Sequence, residues 1–161
     1  MQQLFAPWRF GYLSAASPAT ECIFCAATRE DAESLTLWKG QRVFALLNRY
    51  PYTSGHVMVA PMAHVADYGS LDSETLLELF TLGQRVVRAL HETYRPHGFN
   101  VGMNLGEAAG AGIADHLHLH VVPRWRGDTN FMPVVGDVRV IPEDLKDTKM
   151  KLAQAMGGFG G

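Results

Sequence analysis

The chain has 161 residues, of which 47% are hydrophobic and 19% charged, with 14 Lys and Arg against 16 Asp and Glu for a net charge of −2. This length suits one domain with one hydrophobic core, and the composition excludes a disordered, collagen-like or coiled-coil protein. Because basic residues are not in excess, we expect no nucleic-acid partner. The unusual part of the composition is its seven histidines and 16 glycines.

The N-terminal residues 1–20 have no periodic pattern and are predicted to form an arm that precedes a domain of residues 21–145. The first residues lack the basic and apolar regions of a secretory signal. No apolar run approaches the roughly 18 residues that span a bilayer, so we expect no membrane partner.

The two cysteines of the chain, Cys22 and Cys25, form a C-x-x-C pair. Two cysteines this close together cannot cross-brace a secreted fold, so the pair favours a cytoplasmic protein. In that compartment the pair is half of a metal site, a redox pair or two small buried residues.

A hairpin and a third strand are predicted next in the chain. The apolar runs Leu35–Trp38 and Val43–Leu47 are separated by a turn that contains glycine, which is typical of a hairpin. The run His56–Ala60, bounded by Gly55 and Pro61, is predicted to be the third strand.

One long helix follows, with Asp72 as its predicted N-cap. Its apolar residues recur with a period of 3.6 and are predicted to face the core. The sequence Arg-Pro-His-Gly should end the helix near Tyr94. The predicted core positions of this helix are Leu76, Leu79, Phe80, Val86, Val87 and Leu90.

Two more strands and a second helix are predicted in the last part of the chain. Phe99–Leu105 is the fourth strand, Gly106–Gly112 a loop of small residues and His116–Val122 the fifth strand. Residues 124–145 are rich in loops, and residues 146–161 should form a short helix and a flexible tail. This order favours an α+β fold with a roughly five-stranded antiparallel sheet, one long helix and a short C-terminal helix.

The most informative stretch reads H-L-H-L-H-V-V, from His116 to Val122. Because side chains alternate along a strand, the three imidazoles are predicted to share one face, about 6.5–7 Å apart. Such a row can surround one phosphoryl group, with one ring as the nucleophile. It can also hold a metal ion, or it can be a solvated strand face that merely tolerates histidine.

This stretch resembles the signature of the histidine-triad (HIT) superfamily, in which three histidines alternate with apolar residues. Leu46–Pro51 and Gly55–Pro61 are similar to the nucleoside-side strand and the G-H strand of that family. Arg95–Gly102 and Val121–Phe131 are most similar to its bacterial diadenosine tetraphosphate phosphorylase-like members. The resemblance covers most of the chain and implies the HIT-like fold.

The resemblance implies an enzyme that transfers or hydrolyses nucleotidyl groups through a covalent nucleotidyl-histidine, without a required cofactor. His118 would be the nucleophile at the α-phosphorus, with its second ring nitrogen held by the backbone carbonyl of His116. His120 would contact the phosphate or the departing oxygen, and His56 would approach the phosphate from the neighbouring strand. A neutral imidazole is available near pH 7 because its usual pKa is about 6.5, and two neighbouring histidines should disfavour protonation further.

The resemblance also implies a set of substrate-binding residues. Asn48 would bond the ribose hydroxyls, and Asn104 would bind the phosphates or the leaving group. The base pocket would be formed by Phe24, Phe44 and Leu46. The phosphate-binding loop would be formed by Gly110, Gly112 and Ile113. By residue type alone, Asn104 can equally cap a strand end, His56 can be a surface histidine, and the aromatic residues can be plain core.

A structural zinc site is implied as well. Cys22 and Cys25 supply two thiolates of a tetrahedral site, which needs two more ligands. Some bacterial histidine-triad proteins use a histidine after the third strand and the first triad histidine, and His64 and His116 stand at those positions. The alternative is two buried thiols and an exposed His64.

The leading hypothesis is phosphorolysis of diadenosine tetraphosphate to ADP and ATP through His118, with adenine nucleotides and dinucleoside polyphosphates as partners. The alternatives are a hydrolase of phosphoramidates or dinucleoside polyphosphates, a low-turnover nucleotide-binding regulator, and a metal enzyme with the triad as ligands. The loop has Ala111-Gly112 where many family members have Gln or Ser, which leaves room for phosphate as the acceptor. The family also implies a homodimer, to which residues 1–20 could add a tetramer contact.

Overall fold

A computed structural model describes residues 21–29, 34–128 and 141–157. The predicted arm of residues 1–20 and the last residues of the predicted tail, 158–161, lie outside these ranges. Within them, two short 3-10 turns accompany the helices and strands, at Tyr68–Ser70 and Glu107–Ala109. The helices and strands in chain order are α1 (Ile23–Ala27), β1 (Thr36–Lys39), β2 (Val43–Leu47), β3 (Val57–Pro61), α2 (Ser73–Tyr94), β4 (Gly98–Met103), β5 (Leu119–Arg124) and α3 (Leu145–Gly157).

The five strands form one sheet in the order β1-β2-β3-β5-β4. Every neighbouring pair is antiparallel, including the predicted hairpin of β1 and β2, which confirms the α+β fold. Strands β3 and β5 pair although α2 and β4 lie between them in the sequence. This pairing brings the histidine that precedes β3 next to the histidine triad.

The register of the sheet separates its two faces. Leu46 pairs with Met58, and Met58 pairs with His120, so these three side chains point to the same side. We call this side the histidine face. The opposite side, the helix face, carries Ala45, Leu47, Val57, Val59, Leu119 and Val121.

Helices α2 and α3 cover the helix face. Asp72 caps α2 as predicted, because its side chain accepts a hydrogen bond of 2.7 Å from the backbone N–H of Thr75. Burying each large apolar side chain of this core contributes roughly 1.5–3 kcal/mol. The two helices contribute Leu79, Leu82, Val86, Ala89, Leu90, Leu152 and Met156 to the core.

One predicted core position of α2 is wrong. Phe80 is 47% exposed, and Leu77 next to it on the helix surface is 71% exposed. The buried arc of the helix runs instead through Leu79, Leu82 and Val86, and Phe80 lies to one side of it. Within the described residues, no helix is both long and apolar enough to cross a bilayer.

The strand boundaries differ from the prediction where the histidines lie. Regular pairing begins at Val57 and at Leu119, so His56 and His118 stand just before their strands and not inside them. The alternation of a pleated strand therefore does not fix the directions of these side chains.

A second apolar cluster lies on the histidine face, and α1 packs against it. This short helix, which the sequence pattern did not predict, contains Phe24 and Cys25 of the C-x-x-C segment. The cluster consists of Phe24, Phe44, Leu46, Met58 and Ala60, all buried. It borders the triad, so the C-x-x-C segment and the histidines belong to one side of the sheet.

Candidate active site

The ring of His118 is fixed by a backbone carbonyl. Its Nδ1–H donates a hydrogen bond of 2.8 Å to the carbonyl oxygen of His116, as the sequence comparison with the histidine-triad family implied. With the proton of the neutral ring at Nδ1, the lone pair stands at Nε2. Nε2 is therefore the nitrogen able to act as a nucleophile.

Burial keeps this ring neutral. His118 is 7% exposed, and burial is the main cause that lowers its pKa, while the hydrogen bond to His116 acts in the opposite direction. Repulsion from the neighbouring histidines was expected to lower this pKa. The structure instead assigns it to loss of solvation, which disfavours the charged form.

A second chain of hydrogen bonds fixes the proton of His120. The backbone N–H of Tyr52 donates to His56 Nδ1 at 3.2 Å, so the proton of a neutral His56 lies on Nε2. His56 Nε2 is 2.9 Å from His120 Nδ1 and donates to it, which leaves the proton of His120 on its own Nε2. Burial, followed by the charge of His118, lowers the pKa of His120 to about 4.

The rings of His118 and His120 are closer than the strand repeat predicts. Their centroids are 4.7 Å apart in an edge-to-face arrangement, whereas the predicted spacing was about 6.5–7 Å. The strand repeat fixes only the Cα positions, and rotation about the side-chain bonds brings the two rings together. The unprotonated Nε2 of His118 and the Nε2–H of His120 thus belong to adjacent rings.

The ring of His116 contacts different residues from those around the rings of His118 and His120. Its Nε2–H donates to the carbonyl oxygen of Pro61 at 2.9 Å. Its Nδ1 lies 3.4 Å from Cys22 Sγ and 3.7 Å from Cys25 Sγ. The three triad rings therefore do not form one group: His56 joins His118 and His120, while the His116 ring turns to the cysteines.

The cysteines, His64 and His116 fit a tetrahedral metal site. Their four ligand atoms lie within 4.8 Å of one another, and His64 Nδ1 is 3.3 Å from Cys25 Sγ. On a tetrahedron with Zn–S of about 2.3 Å and Zn–N of about 2.0–2.1 Å, sulfur and nitrogen stand about 3.5 Å apart. The observed sulfur–nitrogen distances of 3.3, 3.4 and 3.7 Å match this value.

The surroundings of this cluster also suit a cation. The bond from His116 Nε2–H to Pro61 leaves Nδ1 unprotonated and orients the ring, as carbonyls do for metal-binding histidines. Burial and then the neighbouring Cys22 raise the pKa of the Cys25 thiol. Two adjacent thiolates therefore need a positive charge close by. Among the described residues, the one group with this ligand geometry includes neither His118 nor His120.

The structure places the predicted base-pocket residues beside the triad. Phe44 and Leu46 are buried in the cluster on the histidine face, and Ile113 is a partly buried neighbour of that cluster. The ring of Phe24 lies 4.7 Å from that of His118 and 5.0 Å from that of His116. Of the predicted base-pocket residues, Phe24 therefore packs directly against His118.

Asn48 and Asn104, the predicted ribose and phosphate ligands, form hydrogen bonds with loop residues. Asn48 Oδ1 accepts a hydrogen bond of 2.9 Å from the backbone N–H of Tyr50, and Asn48 Nδ2 is 3.4 Å from His56 Nδ1. Asn104 follows Met103, which pairs with Leu119, so Asn104 stands at the same end of the sheet as His118.

Glycines give the predicted phosphate-binding loop backbone conformations that other residues rarely adopt. The side-chain amide of Asn104 donates to the carbonyl oxygen of Gly110 at 3.4 Å. Gly106 and Gly110 have φ angles of 79° and 86°, which residues with a Cβ rarely adopt. Gly112 is exposed at the end of this loop, close in sequence to His116.

Tyr52 also borders the triad, although no periodic pattern in the sequence indicates it. Its backbone holds His56, and its ring centroid lies 4.5 Å from that of His56 and 6.0 Å from that of His120. It belongs to the turn before β3, where no hydrophobic period marks a functional position. The sequence offered one signal for Tyr52, namely that its turn lies between two predicted site residues, Asn48 and His56.

The model of the HIT domain family matches residues 29–127 of this sequence. The chain belongs to the HIT family. Over 166 aligned residues it is 43% identical to a protein of Mycobacterium tuberculosis named AP-4-A phosphorylase, with 95% of this chain and 83% of that protein covered.

Solved structures of HIT proteins share this fold. A zinc-bound histidine triad family protein from Mycobacterium smegmatis has a TM-score of 0.71 at 32% identity, over 86% of this chain and 95% of that one. A hypothetical histidine triad nucleotide-binding protein from Sulfolobus tokodaii has a TM-score of 0.71 at 26% identity, over 85% of this chain and 93% of that one.

The burial of His120 predicts its titration. Followed by NMR of the ring Cε1 proton, His120 should have its midpoint near pH 4, in line with the lowering of its pKa to about 4. Because the unfolded chain has a histidine pKa of about 6.5, it binds more protons between these two values, and the free energy of unfolding falls as the pH drops through this window. The fall should be shallower in His120→Gln. A midpoint at the usual histidine value would contradict this assignment.

Proposed function

We propose that this chain is a HIT enzyme that cleaves diadenosine polyphosphates, with phosphorolysis of diadenosine tetraphosphate to ADP and ATP as its main reaction. The observation that carries the proposal is the fixed nucleophile, since the 2.8 Å bond to His116 leaves Nε2 of His118 as the basic nitrogen. The relative named AP-4-A phosphorylase supports this choice of substrate and acceptor.

In the first step, the lone pair of His118 Nε2 forms a bond to the α-phosphorus of one nucleotide half. The bond from this phosphorus to the bridging oxygen breaks, and its electron pair stays on that oxygen. ATP leaves, and AMP remains bonded to Nε2. Both nitrogens of the ring are then substituted and the ring is cationic, so the carbonyl of His116 stabilises the charge that develops.

His120 acts on the departing oxygen. Its Nε2–H is available because His56 occupies Nδ1, and a donor placed where negative charge develops lowers the barrier. His120 is neutral at physiological pH because its pKa is lowered to about 4, and a neutral imidazole still carries one N–H. His120 therefore works as a hydrogen-bond donor and not as a cation.

In the second step, an oxygen of inorganic phosphate attacks the same phosphorus. The N–P bond breaks, its electron pair returns to His118 Nε2, and ADP leaves. Water in place of phosphate gives AMP, which is the hydrolase alternative. The loop with Ala111 and the exposed Gly112 carries no bulky side chain there, which supports the larger acceptor.

Product analysis tests the proposal. Diadenosine tetraphosphate incubated with the protein should give ADP and ATP only when inorganic phosphate is present. Since the nucleophile is essential, His118→Asn should lower kcat by at least about 1,000-fold. Formation of AMP and ATP, or of two ADP, without phosphate would show that the reaction is hydrolysis and not phosphorolysis. Turnover that survives in His118→Asn would exclude the covalent route altogether.

We further propose that Cys22, Cys25, His64 and His116 bind a structural zinc. The donor set and the sulfur–nitrogen distances of 3.3–3.7 Å support it, and a structural neighbour is described as zinc-bound. When bound, zinc supplies a fixed tetrahedral crosslink and no part of the reaction. It would brace α1 against the segment that carries the triad.

Elemental analysis tests this metal site. The purified protein should contain close to one zinc per chain, and Cys25→Ser, which removes one thiolate, should contain well under half of that amount. The variant His91→Ala, which removes a histidine outside the cluster, serves as the control and should keep its zinc. Zinc well below one per chain in the unmodified protein would rule out the site.

The partner and location of the chain are part of the same proposal. We propose a homodimer, because β4 is an edge strand with exposed Asn100, Val101 and Gly102, and such an edge can pair with a second copy. The C-x-x-C pair supports a cytoplasmic location.

A further inference from the structure

The turn between Asn48 and His56 presents two exposed aromatic side chains near the triad. Tyr50 is 65% exposed and Tyr52 is 44% exposed. The mechanism above uses only the backbone N–H of Tyr52. Exposed aromatic rings of this kind provide surfaces on which nucleobases stack.

Tyr52 stands at one end of a row of rings that crosses the site. Its ring is inclined by only 29° to that of His120, at 6.0 Å between centroids. His120 is followed by His118 at 4.7 Å, and His118 by Phe24 at 4.7 Å. Phe24 of the predicted base pocket therefore lies on the His118 side of this row, and Tyr52 lies on the His120 side.

The position of Tyr52 is fixed before any ligand arrives. Its N–H bonds His56 Nδ1 at 3.2 Å, and the N–H of Tyr50 bonds Asn48 Oδ1 at 2.9 Å. The hydroxyl of Thr53 donates to the carbonyl of Pro123 in β5 at 2.9 Å. A ring held this way loses little conformational entropy when a base stacks on it.

We propose that Tyr52 forms the stacking platform for the nucleobase of the leaving nucleotide, and so selects leaving groups that carry an aromatic base. This inference rests on the proposed function, in which the group that departs past His120 is itself a nucleotide. The transferred half uses the pocket beside Phe24. The leaving half extends to the other end of the row, where the exposed part of the Tyr52 ring offers a π surface.

Two substrates that share the transferred half test the inference. Diadenosine tetraphosphate and adenosine 5′-tetraphosphate both place AMP on His118, but only the first has a base on its leaving group. The ratio of their kcat/KM values isolates the contribution of that base. Any general disturbance of His56 or His120 affects both substrates and cancels in the ratio.

The unmodified protein should prefer diadenosine tetraphosphate, and Tyr52→Ala should lower the ratio by about tenfold, the typical size of one stacking contact. Tyr52→Phe keeps the ring and should keep the ratio. Tyr68→Ala removes an exposed tyrosine outside this turn and is the matched control for the loss of a surface ring. Every variant retains the backbone N–H that holds His56.

Three results would overturn the inference. The ratio in Tyr52→Ala can equal that of the unmodified protein, even if both rates fall, which would leave Tyr52 with a structural role. The ratio can fall equally in Tyr68→Ala, or the unmodified protein can show no preference between the substrates. A protein that cleaves neither substrate would overturn the proposed function itself, which is a distinguishable outcome.

Discussion

The hydrogen bond from His118 Nδ1–H to the carbonyl of His116 determines what the site can do. A neutral imidazole has one basic nitrogen, and this bond decides which one it is. The acceptor is a main-chain atom two residues away, so the choice is made by the backbone conformation just before β5. Burial then keeps the ring unprotonated, and the same carbonyl faces the ring when it carries positive charge.

His116 connects this nucleophile to the cysteine cluster. Its carbonyl holds His118, while its ring nitrogens reach Pro61 and the two cysteines. Phe24 lies between those cysteines in the sequence and contacts the rings of both His116 and His118. Whatever fixes the C-x-x-C segment therefore also fixes the Phe24 ring against which His118 packs. His116 thus contacts both the His118 ring, through its carbonyl, and the cysteine cluster, through its own ring, which explains why its ring does not lie with those of His118 and His120.

The fold and the position of the site follow from local patterns in the sequence. The alternating strands and the capped helix after Asp72 each depend on near neighbours, and their order led to the right fold class. The direction of the His116 ring depends instead on Pro61 and the cysteines, which are far away in the sequence. The packing of α1 on the histidine face and the contact of Tyr52 with His120 likewise join residues far apart in the sequence, and no periodicity encodes them.

The pKa of His118 was predicted to be lowered, and it is lowered, but by a different cause from the one predicted. Neighbouring histidines were expected to keep His118 neutral, but burial is the larger cause. Burial depends on how α1 closes over the histidine face, and the sequence of the triad alone does not contain that information. The protonation state of His118 therefore depends on the packing around it as well as on the triad sequence.

The attachment point of the nucleotide tests the central claim most directly. The protein is mixed with diadenosine tetraphosphate in the absence of phosphate, quenched and digested, and the modified peptide is examined by phosphorus–proton and phosphorus–nitrogen correlation NMR. The account predicts AMP on Nε2 of His118, because Nδ1 is occupied by the bond to His116. AMP on Nδ1, on another residue or on no residue at all would contradict it.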